Sequence, residues 1–282
     1  MYLEQLLISG LLSGAVLGLI GVGFSLVLGV GKVANFAHGA FVAVGLYAGY
    51  WIGHDLHLNP YLLVVPVAIV FGLIGWGVAE IFERRGRKVG PIGELLVGLA
   101  LLLVLNGALS EIFGENPVNL QKYQLGSITI AREAISGAEF VAAVFTMVVA
   151  IGIYVFLRVS RWGRALRAVA ENPSAAGLYG VRVPIAQRAA VVGSIVLAGI
   201  SGLLISPFTV MTPEAGSTYL IAAFAVVILG GVGNAIGAVA AGLAIGVIDS
   251  IAVGYLSTVW TTLAPLIIIL GFLLIRPVSV EV

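Results

Sequence analysis

Eight stretches of the chain carry no Asp, Glu, Lys or Arg: 5–31, 33–54, 56–79, 95–110, 140–157, 189–213, 215–248 and 250–275. A helix needs about 20 mostly apolar residues to cross the hydrocarbon of a bilayer. Seven of the eight runs are near or above that length, and 95–110 reaches it once Glu94 and Glu111 sit at the interfaces. Only 10% of the residues are charged, where a soluble domain has about a quarter. The runs are apolar on every side, as in "LLVVPVAIVFGLIGW". Strands of a membrane β-barrel instead alternate polar and apolar over about ten positions. Backbone facing lipid must satisfy its own hydrogen bonds, so the runs are helices. The fold class implied is all-α: a polytopic integral membrane protein with eight to ten helices, some of them glycine-broken or re-entrant half-helices. One transmembrane domain fills residues 1–282.

The first run is retained rather than cleaved, because a signal peptide needs a basic n-region and the only charge before Lys32 is Glu4. With no cysteine there are no disulfides, thiolate nucleophiles or cysteine metal sites. The formal net charge of +1 says nothing about partners, and no nucleic acid is expected. Charge distribution is more telling. Of 14 Lys and Arg, 11 lie at 84–88, 158–188 and 276. Basic residues mark the cytoplasmic side. The intervening loops carry Asp55, Glu111, Glu115 and Glu214 and face outward. Spans 61–81, 93–113, 138–157 and 189–210 then alternate, with the C-terminus cytoplasmic and the protein multi-pass in the cell's inner membrane.

Run 215–248 is too long for one helix, and its "LGGVGNAIG" reads as a break. The stretch before it, Thr218 to Leu229, suits a re-entrant half-helix. Small residues recur every four positions at Gly10, Gly14 and Gly18, at Gly21, Ser25 and Gly29, and at Gly242, Gly246 and Ser250. In lipid such stripes let helix backbones touch. "GVGKVANFAHGAFVAVGLYAG" and "GGVGNAIGAVAAGLAIG" both pass from a Gly-x-Gly break into a Gly/Ala-rich helix. Broken segments at corresponding places in two halves point to a transport site between them.

Polar residues inside the membrane are costly and often functional. Asn35 and His38 of "NFAHG", Asn106, and Asp249 of "GVIDSI" are of this kind. Asn35 is suited to cap the helix beginning "FAHG", with His38 one turn on. One reading is structural, a capped helix start buried among helices. The other places Asn35, His38, Gly39 and Asp249 on a pathway. "GISG", Gly199 to Gly202, matches the G-x-S-G of intramembrane proteases. Such an enzyme needs a histidine base on a neighbouring helix, and in that family the base follows the serine; His38, His54 and His57 all precede Ser201. No H-E-x-x-H pair occurs, so no enzyme chemistry and no metal or other cofactor is expected.

Segment 158–188 is cytoplasmic. Arg164, Arg167 and Glu171 share one helical face, and Leu166, Val169 and Ala170 another. In "NPSAAGLYG", Asn172 is a good N-cap, Pro173 fits the first helical position and Gly180 is a natural stop. A short capped helix with exposed Leu178 and Tyr179 suits either a lipid surface or a protein partner.

"AAGLYG" resembles the A-A-x-x-x-G core of the coupling loop in permeases of ABC importers. "GRALRAVAENPSAAGLYGV", "NFAHG" and "AVVILGGVGNAIGAVAAG" resemble signatures of the branched-chain amino acid permease family, in the right order over nearly the whole chain. The resemblance implies a permease subunit paired with a related chain or itself, in membrane lipid, and fed by an extracytoplasmic substrate-binding protein. Two ABC ATPase subunits would bind the ATP, since this chain has no G-x-x-x-x-G-K-[ST]. They would dock on Arg164, Arg167, Glu171, Pro173, Ala175, Ala176, Leu178, Tyr179 and Gly180. Two departures stand out: Ser174 replaces the general motif's glutamate, and Ala40 follows "NFAHG" where many relatives have an acid. Permeases for urea or short amides share this scaffold and remain the alternative, with a proton-coupled secondary transporter using His38 or Asp249 behind them.

Overall fold

The computed structural model describes residues 2–86, 90–120, 123, 126–130, 133–257 and 259–275. Its helices are α1 (Tyr2–Leu26), α2 (His38–His54), α3 (Val64–Ile81), α4 (Pro91–Phe113), α5 (Gly137–Val159), α6 (Arg161–Glu171), α7 (Pro173–Leu178), α8 (Val183–Ile205), α9 (Ala215–Gly230), α10 (Ala235–Tyr255) and α11 (Trp260–Ile275). Six helical stretches are long and apolar enough to cross a membrane: Tyr2–Gly31, Pro60–Arg84, Ile92–Phe113, Gly137–Val159, Val183–Ile205 and Ala235–Tyr255. Three more, α2, α9 and α11, have 17, 16 and 16 residues. The nine apolar helices of the described residues fall within the expected range.

The small-residue stripes meet each other. α1 and α10 run antiparallel, and a Cβ on Gly14 would lie 2.8 Å from Gly242 O. One on Gly246 would lie 2.3 Å from Gly14 Cα. At the end of this contact Tyr2 donates its hydroxyl proton to Gly254 O at 2.8 Å. α8 is the other central helix: α2 and α3 pack on it, and Tyr47, Phe71, Ile195 and Leu203 are buried in the core.

Two helices start inside the bundle. α1 widens into a π turn, Val27–Gly31, which Lys32 ends with a left-handed φ of 55°. The chain then turns back along α1 in non-helical form, with Val33, Asn35 and Ala37 fully buried. α2 starts at His38, whose ring reaches Ile20, well before the end of α1. α9 follows the non-helical stretch after α8 and stops at Gly231, φ 90°. Its 16 residues replace the 12 expected from Thr218 to Leu229. Asn234 caps α10 by accepting from Gly237 N at 3.0 Å. The break read from "LGGVGNAIG" is thus a tight reversal between α9 and α10.

Some expectations need correction. The first helical residue after "NFAHG" begins is His38, not Phe36, because Asn35 Oδ1 accepts from Ala37 N at 3.1 Å and holds the preceding residues in a turn. α8 starts at Val183, so Arg182 is its N-cap and Arg188 lies within the helix rather than in a loop ending at 188. Arg188 is held there by α3: its Nη2 lies 2.6 Å from Glu80 Oε2 and 2.5 Å from Glu83 Oε2, and its guanidinium covers the Trp76 ring at 5.0 Å. The all-α architecture holds, with one local addition. Ser127–Ile130 (β1) and Glu133–Ser136 (β2) form a two-stranded antiparallel hairpin in the 114–137 loop. Arg87, Lys88 and Arg276 lie outside the described residues, as does the expected cytoplasmic C-terminus.

Candidate functional site

The basic segment is a helical hairpin. Ser160 opens α6 by accepting from Gly163 N at 2.7 Å. Asn172 opens α7 by accepting from Ala175 N at 2.9 Å, with Pro173 at the first helical position. After α7, Tyr179 N bonds to Ala175 O and Val181 N to Ala176 O, while Gly180 takes φ 83°. This is the left-handed stop that glycine adopts without steric cost. The buried face carries Leu166, Val169 and Ala176, packed against Val30, Ala186 and Ala190. Ala175 is half-buried, whereas Arg164, Arg167 and Glu171 are exposed. At the tip Leu178 and Tyr179 are 89% and 90% exposed, with none of the described residues covering them.

Sequence reasoning missed how this hairpin is tied to the bundle. Lys32 Nζ donates to Ala170 O at 3.1 Å, capping the last turn of α6 where a cation complements the helix dipole. The α9–α10 reversal is pinned to α1: Gly233 N donates to Ser25 Oγ at 2.8 Å. A Cβ on Gly29 would lie 2.7 Å from Gly233 Cα, so the two glycine breaks lie against one another. Gly233 itself faces Ala170 of α6, 3.9 Å from where its Cβ would be. A lone cation after a glycine break is the visible signal for Lys32; nothing local marks Ser25 as more than packing.

The expected pathway residues separate into two places. Asn35, His38 and Gly39 lie at a buried junction. His38 Nε2 donates to Ile20 O at 3.1 Å, which leaves Nδ1 to accept the Ser194 hydroxyl at 2.9 Å. Its ring stacks at a tilt on Phe24. Asn35 is fully buried, and its Nδ2 has no hydrogen-bond partner. A Cβ on Gly39 would lie 2.0 Å from Gly216 O, so the first turns of α2 and α9 cross at contact distance. The two helices leave this point in opposite directions: α2 passes Gly199 and Ser206 of the α8 end, and α9 returns to the reversal beside α6.

Asp249 is elsewhere. It lines a cavity of about 340 Å³ between α1, α9, α10, α11 and the 206–214 loop, whose walls include Ser13, Phe208, Thr212, Thr218 and Tyr219. The loop is fixed by Met211, which exchanges backbone hydrogen bonds of 2.8 and 3.0 Å with Val118. Asp249 Oδ1 is buried without a hydrogen-bond partner. The cavity sits at the opposite end of α10 from the reversal that touches α6.

Ser201 of "GISG" is fully buried and donates to Leu197 O at 2.7 Å, within its own helix. Gly199 and Gly202 are close approaches to Phe71 and to Val42 O. His38 is bonded to Ser194, not to Ser201, so the serine of "GISG" has no histidine base beside it among the described residues. Among the described residues no three His, Asp or Glu side chains cluster as a metal site.

Comparisons with known proteins agree with this architecture. A chain of PsaBC from Streptococcus pneumoniae, solved in complex with Fab, has the same fold at a TM-score of 0.54. It is 14% identical, over 98% of this chain and 92% of that one. The high-affinity branched-chain amino acid transport system permease protein LivH of Salmonella typhimurium is 26% identical over 99% of this chain and 96% of its own. The probable branched-chain amino acid transport permease protein LivH of Methanocaldococcus jannaschii is 29% identical over 98% and 92%. The high-affinity branched-chain amino acid transport system permease protein BraD of Pseudomonas aeruginosa is 27% identical over 99% and 95%. The family model for the permease component of branched-chain amino acid transport systems matches residues 6–275, and the chain belongs to that family.

Proposed function

We propose that the chain is the membrane-spanning subunit of an ATP-driven importer of branched-chain amino acids in the cell's inner membrane. The observation that carries this reading is α7, capped at both ends and presenting Leu178 and Tyr179 almost fully to solvent. Two apolar side chains on a rigid peg are a stable arrangement when a partner groove covers them. Two ATPase subunits would seat on the peg, with Arg164, Arg167 and Glu171 at the rim, and would bind the ATP. A second permease chain, related or identical, completes the pathway, and an external binding protein delivers the solute. The similarity to permeases of branched-chain amino acid transport systems supports the substrate class.

The ties around α6 support a route for the motion. A push on α6 reaches the α1 break through Lys32 and the α9–α10 reversal through Gly233. Both lead to the α2–α9 junction, where Asn35, His38 and Gly39 form the joint. Asp249 stands on the pathway beyond it.

The test is co-purification with candidate ATPases and ATP-dependent leucine uptake into proteoliposomes. Replacing both Leu178 and Tyr179 with Ala removes the peg's contacts without touching the core. Uptake should fall at least about tenfold, as for truncated interface anchors, with the unfolding midpoint unchanged. Undiminished uptake by this variant would overturn the docking assignment.

A further inference from the structure

The cavity beside Asp249 has a chemical character of its own. Its lining holds one charge, the Asp249 carboxylate, and no Lys, Arg or His. An unpaired carboxylate within a membrane bundle is costly and is normally matched by a partner. Oδ1 of Asp249 has none in the protein. Two neighbouring hydroxyls are engaged elsewhere: Ser250 donates to Leu6 O at 2.8 Å and Ser13 to Ser9 O at 2.9 Å. A cationic group entering the cavity would find an acceptor there. A bare metal ion fits poorly, because about 340 Å³ is room for a small organic molecule and one carboxylate is a thin ligand set.

The rest of the wall defines the remainder of the ligand. Val16, Leu17, Ile205, Phe208 and Ile245 give an apolar surface for an aliphatic chain. Thr212 of the 206–214 loop and Thr218 in the first turn of α9 bring hydroxyls suited to a carboxylate. We propose that this cavity binds an aliphatic α-amino acid as its zwitterion, with Asp249 as the anchor for the ammonium group. The assignment rests on the importer reading above and deepens it: the permease itself recognises the ammonium of its cargo. It also separates amino acids from urea and short amides, which carry no cation for Asp249 to hold.

The chain has no cysteine, so one introduced thiol reports on the cavity alone. Ala222→Cys places it on the cavity wall, and Val232→Cys places a control thiol in the exposed α9–α10 reversal. The purified full-length variants are labelled with methyl methanethiosulfonate in detergent, with and without L-leucine. At ten times its dissociation constant, leucine should slow labelling of the cavity thiol about tenfold and leave the control unchanged. 4-Methylpentanoate, which has the same side chain and carboxylate but no ammonium, should not protect. In the Ala222→Cys background, Asp249→Asn should raise the leucine concentration that gives half-maximal protection about 30-fold, as for removal of one partner of a buried charge pair. Equal protection by 4-methylpentanoate, or protection that survives Asp249→Asn, overturns the proposal. The comparison of ligands needs no change at Asp249, so it stands if that variant fails to fold. Uptake by the assembled wild-type transporter is measured in parallel. Uptake with no leucine protection sinks the cavity assignment alone; absence of any branched-chain amino acid uptake sinks the importer reading with it.

Discussion

At the scale of single residues, this bundle is decided by atoms that are missing and by polar groups that are shared. Gly39 and Gly77 make the point as a pair. A methyl on Gly39 would sit 2.0 Å from the Gly216 carbonyl oxygen, whereas one on Gly77 meets nothing within 4 Å. Gly39→Ala should therefore cost more than about 3 kcal/mol, the upper end for overpacking. Gly77→Ala should be neutral or stabilising by up to about 1 kcal/mol, from helix propensity alone. Denaturant titration in mixed micelles would rank the two, and equal stability would refute the close approach of α2 and α9. His38 is the polar counterpart. Ser194→Ala leaves its Nδ1 without a donor in a buried place and should cost about 1–3 kcal/mol, read by the same titration.

Elements are held by a few contacts between distant segments. The α9–α10 reversal hangs on Ser25, which accepts from Gly233 N. Ser25→Ala should cost about 1–3 kcal/mol and raise amide exchange at Val232–Asn234 while α1 keeps its protection. Unchanged exchange there would mean the reversal is held by glycine packing alone. α3 and α8 are joined near the hairpin by Arg188 between Glu80 and Glu83, and Arg84 pairs with Glu80 one turn along. Arg188→Glu should loosen α8 from α3, and adding Glu83→Arg should restore part of the loss. The caps of α7 were legible because Asn172, Pro173 and Gly180 act on their own neighbours in sequence. Ser25, Lys32 and Ser194 were not, because their partners lie 208, 138 and 156 residues away.

For the whole molecule, the consequence is a path from one end to the other. The peg at α7, the Lys32 cap, the two glycine breaks and the α2–α9 junction are contiguous, and the Asp249 cavity lies past them. Lys32→Ala removes a dipole-complementing cap worth about 0.3–1 kcal/mol. It should lower leucine uptake per ATP hydrolysed, leaving ATPase binding intact; a proportional fall in both uptake and hydrolysis would place Lys32 outside the coupling route. Charge-free runs by themselves determined that this is a many-helix membrane protein, since bilayer thickness fixes span length whatever the packing. Local chemistry determined the capped peg at α7 and the break at Gly231–Gly233. Which helices are central was decided only in three dimensions. α5 is the most apolar of the long described helices, yet most of it is exposed, while the less apolar α8 is mostly buried. Lipid and protein interior are equally apolar, so hydropathy does not distinguish them. Close fit does, and fit depends on which glycines and serines face each other once the chain has folded.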